Sequence, residues 1–537
     1  MASTQRVFLG KMPECDVLVI GSGHNGLGLA AYCARAGLDV VVIESAGKIG
    51  GLLSTEAVTQ PGFKHNLHAV TLGSYAPFYR DFDLQPFGVR FVKPSVEYTL
   101  LLPSSHLTIR CADPIANWRA VANFSQRDAK TIEELYRRFH RTWLKEFYSA
   151  PRPPGERGED LSSGERREYN RISGLSFREA VDEFLESEEI KLFFCLRAIE
   201  ITGDVGLGSK SASPDYPGTG DFLFRLAFDP EYQIVFGGTN ELAQGIARLL
   251  QSLGARILAG SPVERVLVKD RTAVGVRLAN GTIFEARAVV SGANFGSTML
   301  DLVGEEHLDA AFLNAVKDLH GSRAGKFDLH LAVARPPRYR VPEASEALCL
   351  FLGYEGLEDV ETRWSEICMG AFPARPAFHC GCTTIYDPAS APPGAHTLYL
   401  WQFVPLALSR SFTEAEAPAY LERILARWRE YTSDLDEANL LGRYGYYLGN
   451  WKTRQAHPYG GVPVSHGHYY HARPLPECAE YRTPIRGLYL CGSSSHPGGS
   501  VRFGPAYNAA QVVLEDLGLT PWWSRDLTPG TPLVLPP

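Results

Sequence analysis

The fold is decided by residues 15–44, which read CDVLVIGSGHNGLGLAAYCARAGLDVVVIE. The apolar run that ends at Ile20 predicts a short buried strand of a parallel sheet. The stretch rich in Ala and Leu that follows it predicts a helix, and Gly37 marks the end of that helix. A second apolar run predicts another buried strand before Glu44. The segment therefore predicts one strand–helix–strand unit.

Three glycines in this unit have the spacing of a dinucleotide-binding turn. Gly21 permits the tight turn, Gly23 allows a pyrophosphate to approach the backbone, and Gly26 allows close packing of helix and strand. The phosphates would meet the positive end of the helix. Glu44 ends the second strand, where it would accept a ribose hydroxyl and disfavour the 2′-phosphate of NADP. The spacing predicts a bound dinucleotide but leaves NAD and FAD open.

Composition places the chain among globular proteins and excludes one class of partner. Of its 537 residues, 45% are hydrophobic and 21% are charged. The net charge of −7 argues against nucleic-acid binding. Ten scattered cysteines resemble buried apolar residues of a reducing compartment more than a disulfide framework. The first residues contain no apolar core of signal-peptide length, so we expect a cytoplasmic protein.

Three separated segments carry a family resemblance. After Glu44 comes SAGKIGGLLSTEAVTQPGF, residues 237–294 hold a helix and several strands around an Asn-Gly turn, and residues 482–510 read RTPIRGLYLCGSSSHPGGSVRFGPAYNAA. In order and spacing these segments resemble the phytoene desaturase (carotenoid dehydrogenase) family of flavoproteins. They are most similar to its branch of pyridine nucleotide-disulphide oxidoreductase domain proteins.

The resemblance implies FAD as the dinucleotide and an α/β fold in two parts. A discontinuous Rossmann-type FAD-binding domain would comprise residues 14–100, 231–300 and 481–520. An inserted α+β substrate domain would comprise residues 101–230 and 301–480. Since only one dinucleotide fingerprint is present, we do not expect a resident nicotinamide.

The resemblance also implies which residues contact FAD. Val263 would do so through its backbone, at the adenine. The other expected contacts are Gly21, Ser22, Gly23, His24, Asn25, Gly26, Glu44, Ser45, Gly50, Gly51, Leu52, Gly492, Ser493, Gly499, Ser500, Val501 and Arg502.

Two positions depart from the family pattern. Leu52 stands where many relatives carry Arg, and Arg502 stands where relatives have a small residue. Arg502 would therefore face either the flavin or the substrate. The helix expected after Gly504 would direct its positive end at the flavin edge where negative charge collects on reduction.

Histidines are the candidates for proton transfer, with Arg502 as a further catalytic candidate. His68 and His496 flank the segments that resemble FAD-binding ones, and His466 and His468 lie in SHGHYYH (465–471). Each of these histidines could instead serve packing. We expect no metal, because the SHGHYYH cluster has no evident fourth ligand and HCGC (379–382) reads as a buried strand.

The predicted function is FAD-dependent dehydrogenation, which forms a double bond in an apolar or conjugated substrate by hydride transfer to flavin N5. Oxygen or a quinone would then reoxidise the flavin. The alternatives are a redox-neutral isomerase, an amine oxidase with an anionic or aromatic cage, and a non-catalytic flavin-holding protein. Residues 396–408 could line a substrate tunnel or belong to a core, and the basic helix at 130–148 could touch a membrane surface or face solvent.

Overall fold

The structure, a computed structural model, describes residues 14–111, 113–153, 155–203, 205–213, 216–225, 232–319, 324–405, 416–446, 473–524 and 527. The strands are β1 Glu14–Ile20, β2 Val40–Ile43, β3 Thr55–Glu56, β4 His65–Asn66, β5 Leu72–Gly73, β6 Phe91–Val92, β7 Val96–Leu101, β8 His106–Arg110, β9 Tyr232–Val235, β10 Arg256–Leu258, β11 Val263–Lys269, β12 Thr272–Leu278, β13 Ile283–Ser291, β14 Ala324–Val333, β15 Ala347–Leu352, β16 Phe378–Gly381, β17 His396–Pro405, β18 Leu440–Tyr446 and β19 Leu488–Leu490. The helices are α1 His24–Arg35, α2 Pro77–Asp81, α3 Pro114–Ala122, α4 Gln126–Phe147, α5 Ser163–Gly174, α6 Phe177–Phe184, α7 Glu188–Thr202, α8 Phe222–Arg225, α9 Asn240–Ser252, α10 Ala310–Lys317, α11 Pro342–Glu346, α12 Leu357–Cys368, α13 Glu416–Arg429 and α14 Gly504–Asp516. Within these residues, no helix combines the length and the apolar character needed to cross a membrane.

The first sheet contains the predicted strand–helix–strand unit. Its order is β10-β2-β1-β13-β12-β11, and β19 pairs with β13 beside this path. Strand β1 lies between β2 and β13 and is parallel to both. From Val17 to Ile20 this strand is buried because helices cover the sheet. Helix α1 packs against α9 and α14, and the predicted Rossmann-type arrangement is thereby confirmed.

The second sheet has seven strands in the order β18-β14-β17-β16-β15-β7-β8. Strands β14 and β17 pair antiparallel along ten residues, from Ala324 opposite Pro405 to Val333 opposite His396. One face of the sheet packs Leu329 and Leu400 against Ile424 and Trp428 of α13. Since side chains alternate along a strand, Lys326, Asp328, Tyr399 and Trp401 share the opposite face.

The two sheets draw on the chain segments expected for two domains, although the division itself stays a proposal. The first sheet takes strands from 14–43, 256–291 and 488–490, and the second takes strands from 96–110 and 324–446. Strand β7 begins at Val96 and pairs with β8 and β15. The chain therefore enters the second sheet a few residues before the expected boundary at residue 100.

Candidate active site

The glycine turn forms a cradle at the start of α1. The cap residue Gly23 leaves the first turn of this helix without a side-chain hydrogen bond. A Cβ at Gly26 would lie 2.1 Å from the carbonyl oxygen of Gly21, so only glycine fits there. A Cβ at Gly23 would meet no atom within 4 Å and would point into open space. Free backbone amides beside that space fit a pyrophosphate.

Glu44 ties the second strand to this turn. Its Oε2 accepts hydrogen bonds from the Ser22 amide, at 2.9 Å, and from the Ser22 hydroxyl, at 2.7 Å. Its Oε1 accepts one from the Ala46 amide at 2.9 Å and one from the Ser45 hydroxyl at 3.2 Å. The carboxylate thus lies next to the cradle, where the acidic residue of a dinucleotide site is needed.

The middle segment reaches the same place from another part of the chain. The Ser261 amide donates to the Glu44 carbonyl oxygen at 2.8 Å, and Val263 begins β11 two residues later. The Gly50 amide donates to the Ser22 carbonyl oxygen at 3.1 Å. A Cβ at Gly51 would approach the Cα of Gly23 to 3.1 Å. The second glycine pair therefore closes over the first.

The carboxyl-terminal loop completes the cradle. Packing at Gly492 is close, since a Cβ there would lie 2.9 Å from the Ala293 and Gly292 carbonyl oxygens. The Ser493 carbonyl oxygen accepts from Arg473 at 2.9 Å. After Gly499, the Val501 carbonyl oxygen accepts from the Gly73 amide at 3.2 Å.

His24 joins the first turn to this loop. Its Nε2 lies 3.2 Å from the Ser500 carbonyl oxygen. Burial lowers the pKa of His24 to about 4, so the ring is neutral near pH 7 and its Nε2–H donates to that oxygen. Helix α14 begins just beyond the loop at Gly504 and has no side-chain cap. Two uncapped helix starts and the Glu44 carboxylate fit the phosphates, ribose and flavin edge of FAD.

A cavity opens between this loop and the second sheet. It holds about 990 Å³ of space free of protein atoms, including its open mouth. Its lining is mostly apolar and aromatic, with a few charged side chains: His24, Leu52, Leu53, His68, Ala69, Val70, Thr71, Gly73, Glu200, Ile201, Gly203, Tyr232, Lys326, Tyr399, Trp401, Ser500, Val501 and Arg502. A concave, largely apolar site with few polar groups is typical of small-molecule binding.

Three charged side chains reach the cavity. The Lys326 Nζ lies 4.2 Å from the centre of the Trp401 ring, and burial lowers the pKa of this lysine. The Glu200 carboxylate accepts a hydrogen bond from the Tyr98 hydroxyl at 2.6 Å. The Arg502 side chain is 1% exposed and donates to the Ser500 hydroxyl. The cavity therefore combines an apolar surface with one carboxylate and two cations.

Comparison with known proteins assigns the family. Residues 26–513 match the model of the flavin containing amine oxidoreductases. The chain belongs to this family. It is a FAD-dependent oxidoreductase, and the predicted cofactor is confirmed.

The relatives of this flavoprotein agree with the resemblance seen in the sequence. It is 27% identical over 555 residues to a limonene dehydrogenase polypeptide of Castellaniella defragrans, covering 96% of this chain and 97% of the relative. It is 28% identical to pyridine nucleotide-disulfide oxidoreductase domain-containing protein 2 of Rattus norvegicus, with 94% of each chain covered. It is 26% identical to a lycopene-forming phytoene desaturase of Paracoccus, covering 93% of this chain and 97% of the relative. The resemblance to the phytoene desaturase family is thereby confirmed.

The solved structure of cyclohexylamine oxidase from Brevibacterium oxydans has the same fold. It superposes on this flavoprotein with a TM-score of 0.57 at 16% identity, covering 94% of this chain and 100% of the other. At that identity the likeness speaks for the architecture only.

The histidines predicted for proton transfer are placed differently by the fold. His68 lies in the cavity wall beside Leu52 and the 500–502 loop. His496 is 2% exposed and lies outside the lining, with Nε2 3.2 Å from the Glu146 carbonyl oxygen. This position removes His496 from the proton acceptors that we consider below. His466 and His468 lie outside the described residues.

Sequence reasoning missed Lys326 and Glu200 as cavity residues. Lys326 and Asp328 alternate with apolar residues in GKFDLHLAV of β14, a pattern that marks a strand with one polar face. No feature of the sequence states that this face meets the flavin loop. For residues 396–408 both alternatives hold in part, since Tyr399 and Trp401 line the cavity whereas Leu398 and Leu400 belong to the core.

Proposed function

We propose that this flavoprotein removes two hydrogens from a neutral, apolar or conjugated molecule and leaves a new double bond in it. Two relatives are named for a terpene, limonene, and a polyene, phytoene, which supports a lipophilic substrate. The observation that carries the proposal is the position of Lys326. Its ammonium group already occupies the aromatic part of the cavity.

Amine oxidation is the second candidate, because the family name and part of the cavity favour it. Glu200, Tyr232, Tyr399 and Trp401 together offer a carboxylate and aromatic rings, which could bind an alkylammonium group. Lys326 stands against this, since its own ammonium lies over the Trp401 ring. A second cation there would be repelled at short range in a poorly solvated site. The arrangement favours a neutral substrate.

Bound FAD supplies the hydride acceptor for the reaction. The residues of the chain orient it and manage the proton. His24 fixes the Ser500 carbonyl, and the start of α14 provides a positive end close to the loop. The substrate packs against the apolar side chains Leu52, Val70 and Ile201, which exclude water. His68 is the proton acceptor of the proposal because it lies in this wall.

The proposal includes oxygen or a quinone as the final electron acceptor, on the ground of the single dinucleotide fingerprint. A peripheral membrane contact through α4 gains no support from its basic residues. Arg137 pairs with Glu133 at 2.7 Å, and Lys145 pairs with Asp160 at 2.9 Å. These cations are already neutralised within the protein.

Product analysis tests the proposal. The purified holoprotein is incubated with a cyclic monoterpene hydrocarbon, a linear polyene or cyclohexylamine, with oxygen or a soluble quinone present. We expect a hydrocarbon product that has lost two hydrogens, and none from a Gly23→Ala variant that lacks FAD. A product of unchanged mass would indicate an isomerase, and conversion of the amine alone would indicate an amine oxidase. Either result would overturn the proposal.

A further inference from the structure

Three side chains from separate elements meet in the wall of the second sheet, next to the cavity. They are Glu200 of α7, Cys349 of β15 and His379 of β16. One donor atom of each lies within 4.8 Å of the donor atoms of the other two. The Cys349 Sγ is 3.7 Å from the Glu200 Oε1. A thiol, an imidazole and a carboxylate at this separation form the ligand set of a transition-metal site.

His379 provides an independent observation. Its side chain is 1% exposed, and neither ring nitrogen has a hydrogen-bond partner among the described residues. The ring is held between Trp401, at 3.9 Å between ring centres, and Phe351, at 4.3 Å. Buried polar groups in folded proteins nearly always have a partner. An imidazole fixed in place with free lone pairs beside a thiol and a carboxylate is suited to a metal ion.

We propose that Glu200, Cys349 and His379 bind one thiophilic divalent ion of the Zn²⁺ type. Zinc holds such donors in a tetrahedron, with sulfur about 2.3 Å and nitrogen or oxygen about 2.0–2.2 Å away, so the donors stand roughly 3.5 Å apart. Small side-chain movements would close the observed triangle to that size. Glu200 also lines the cavity, so the fourth position of the ion is directed towards the substrate space.

Lys326 determines the character of this site. Its charge interacts with Glu200, Cys349 and Asp328, so a bound dication would be repelled by the ammonium group. The site therefore fits an ion that binds reversibly better than a permanent structural zinc. Since the ion would stand in the cavity wall, it would compete with substrate and inhibit the flavoprotein.

The fold explains why the pattern HCGC did not indicate a metal. His379 and Cys380 are adjacent in β16 and point to opposite faces of the sheet, and Cys380 belongs to the core under α13. The partners of His379 come instead from a helix 179 positions earlier and from the neighbouring strand β15. Cys380 thus provides a matched control for Cys349.

Zinc binding to the FAD-loaded protein tests the proposal. Equilibrium dialysis is expected to give one tightly bound Zn²⁺ per chain, and X-ray absorption is expected to show one sulfur ligand at about 2.3 Å. Cys349→Ser and His379→Gln should each weaken binding by at least about tenfold. Cys380→Ser should leave the affinity unchanged. The visible flavin spectrum and the melting temperature check that each variant is folded.

Lys326→Met gives a second arm that damage to the fold could not imitate. Removing the ammonium should tighten zinc binding, whereas a general disturbance would loosen it. The proposal is overturned if X-ray absorption on the unsubstituted protein shows no sulfur ligand. It is overturned equally if only weak binding occurs, or if Cys349→Ser binds zinc as well as the parent. These readouts do not depend on which substrate the flavoprotein oxidises.

Discussion

The ammonium group of Lys326 lies over the indole ring of Trp401, with Nζ 4.2 Å from the ring centre. These residues are on neighbouring strands, β14 and β17, whose register places Lys326 opposite Phe403 and Asp328 opposite Trp401. The cavity therefore contains a cation of its own where an amine oxidase would need space for the cation of its substrate. This relationship separates the two candidate functions.

Replacing Lys326 should open the cavity to amines. We expect Lys326→Met to bind cyclohexylamine about tenfold more tightly than the parent, because Glu200 and the aromatic rings lose their internal cation. The amine is titrated while the flavin absorbance is monitored. Lys317→Met, which removes an exposed lysine paired with Glu305, is the control. Equal amine affinity in all three proteins would show that Lys326 does not exclude amines.

His68 should control proton removal without controlling cofactor binding. We expect His68→Gln to slow anaerobic flavin reduction by about 10²–10⁴-fold, the usual contribution of a general base. Stopped-flow absorbance measures this rate, and the FAD content per chain should not change. His106→Gln substitutes an exposed histidine of β8 and should behave as the parent. A normal reduction rate in His68→Gln would assign the proton to another group.

Glu44 should hold FAD through the hydrogen bonds that organise the glycine turn. Glu44→Gln removes the charge that accepts from the Ser22 amide and hydroxyl, and charge-assisted hydrogen bonds contribute about 1.5–3 kcal/mol. We expect FAD affinity, measured by reconstitution of the apoprotein, to fall about tenfold to hundredfold. Glu264→Gln, an exposed carboxylate paired with Arg277, is the control. An unchanged affinity would contradict the assigned role of Glu44.

Two glycines of the same turn should respond differently to alanine. Gly23 has φ −62° and ψ 166°, which alanine adopts readily, and its Cβ would meet only open space. We expect Gly23→Ala to unfold as the parent apoprotein does, within about 0.5 kcal/mol, yet to lose FAD because the methyl group fills the phosphate space. Denaturant unfolding and FAD content measure the two effects, with Gly47→Ala as an open-space control. Retention of FAD by Gly23→Ala would place the pyrophosphate elsewhere.

Gly26→Ala is the companion variant. Its Cβ would lie 2.1 Å from the Gly21 carbonyl oxygen, so it should destabilise the apoprotein itself. The same denaturant unfolding curves report this loss, and an apoprotein as stable as the parent would contradict it.

Asp328 should make stability depend on pH. Burial raises the pKa of its carboxyl from 3.8 to about 7. Between these values the folded protein binds more protons than the unfolded chain, so the free energy of unfolding falls as pH rises. A shift of that size corresponds to about 4 kcal/mol.

Asp328→Asn should remove this dependence. We expect the variant to be more stable than the parent at and above pH 7, with the difference shrinking towards pH 4. Thermal melts across this range measure the effect, and Asp318→Asn, at an exposed position, is the control. A stability difference that does not vary with pH would show that Asp328 titrates normally.

The dinucleotide cradle was predictable from sequence because its determinants are local. Gly21, Gly23 and Gly26 act through backbone contacts within six residues, and Glu44 closes the same unit. The apolar runs on either side set the parallel strands without distant information. The residues of the carboxyl-terminal loop depended on resemblance, since they reach His24 only after the whole chain has folded.

The substrate side of the cavity was not predictable because strand register decides it. Lys326, Glu200 and His379 are ordinary residues of a strand, a helix and another strand when read one at a time. The pairing of β14, β16 and β17 brings Lys326 and His379 to the same ring of Trp401. His496 shows the opposite failure, since nearness in sequence to the flavin loop does not place its ring in the cavity.

Anaerobic mixing of the holoprotein with substrate tests the central claim most directly. A neutral terpenoid hydrocarbon should bleach the visible flavin band, without recovery until an acceptor is added, at least about tenfold faster than cyclohexylamine does. Bleaching by the amine and not by the hydrocarbon would contradict the account. So would a purified protein that stays colourless after incubation with FAD.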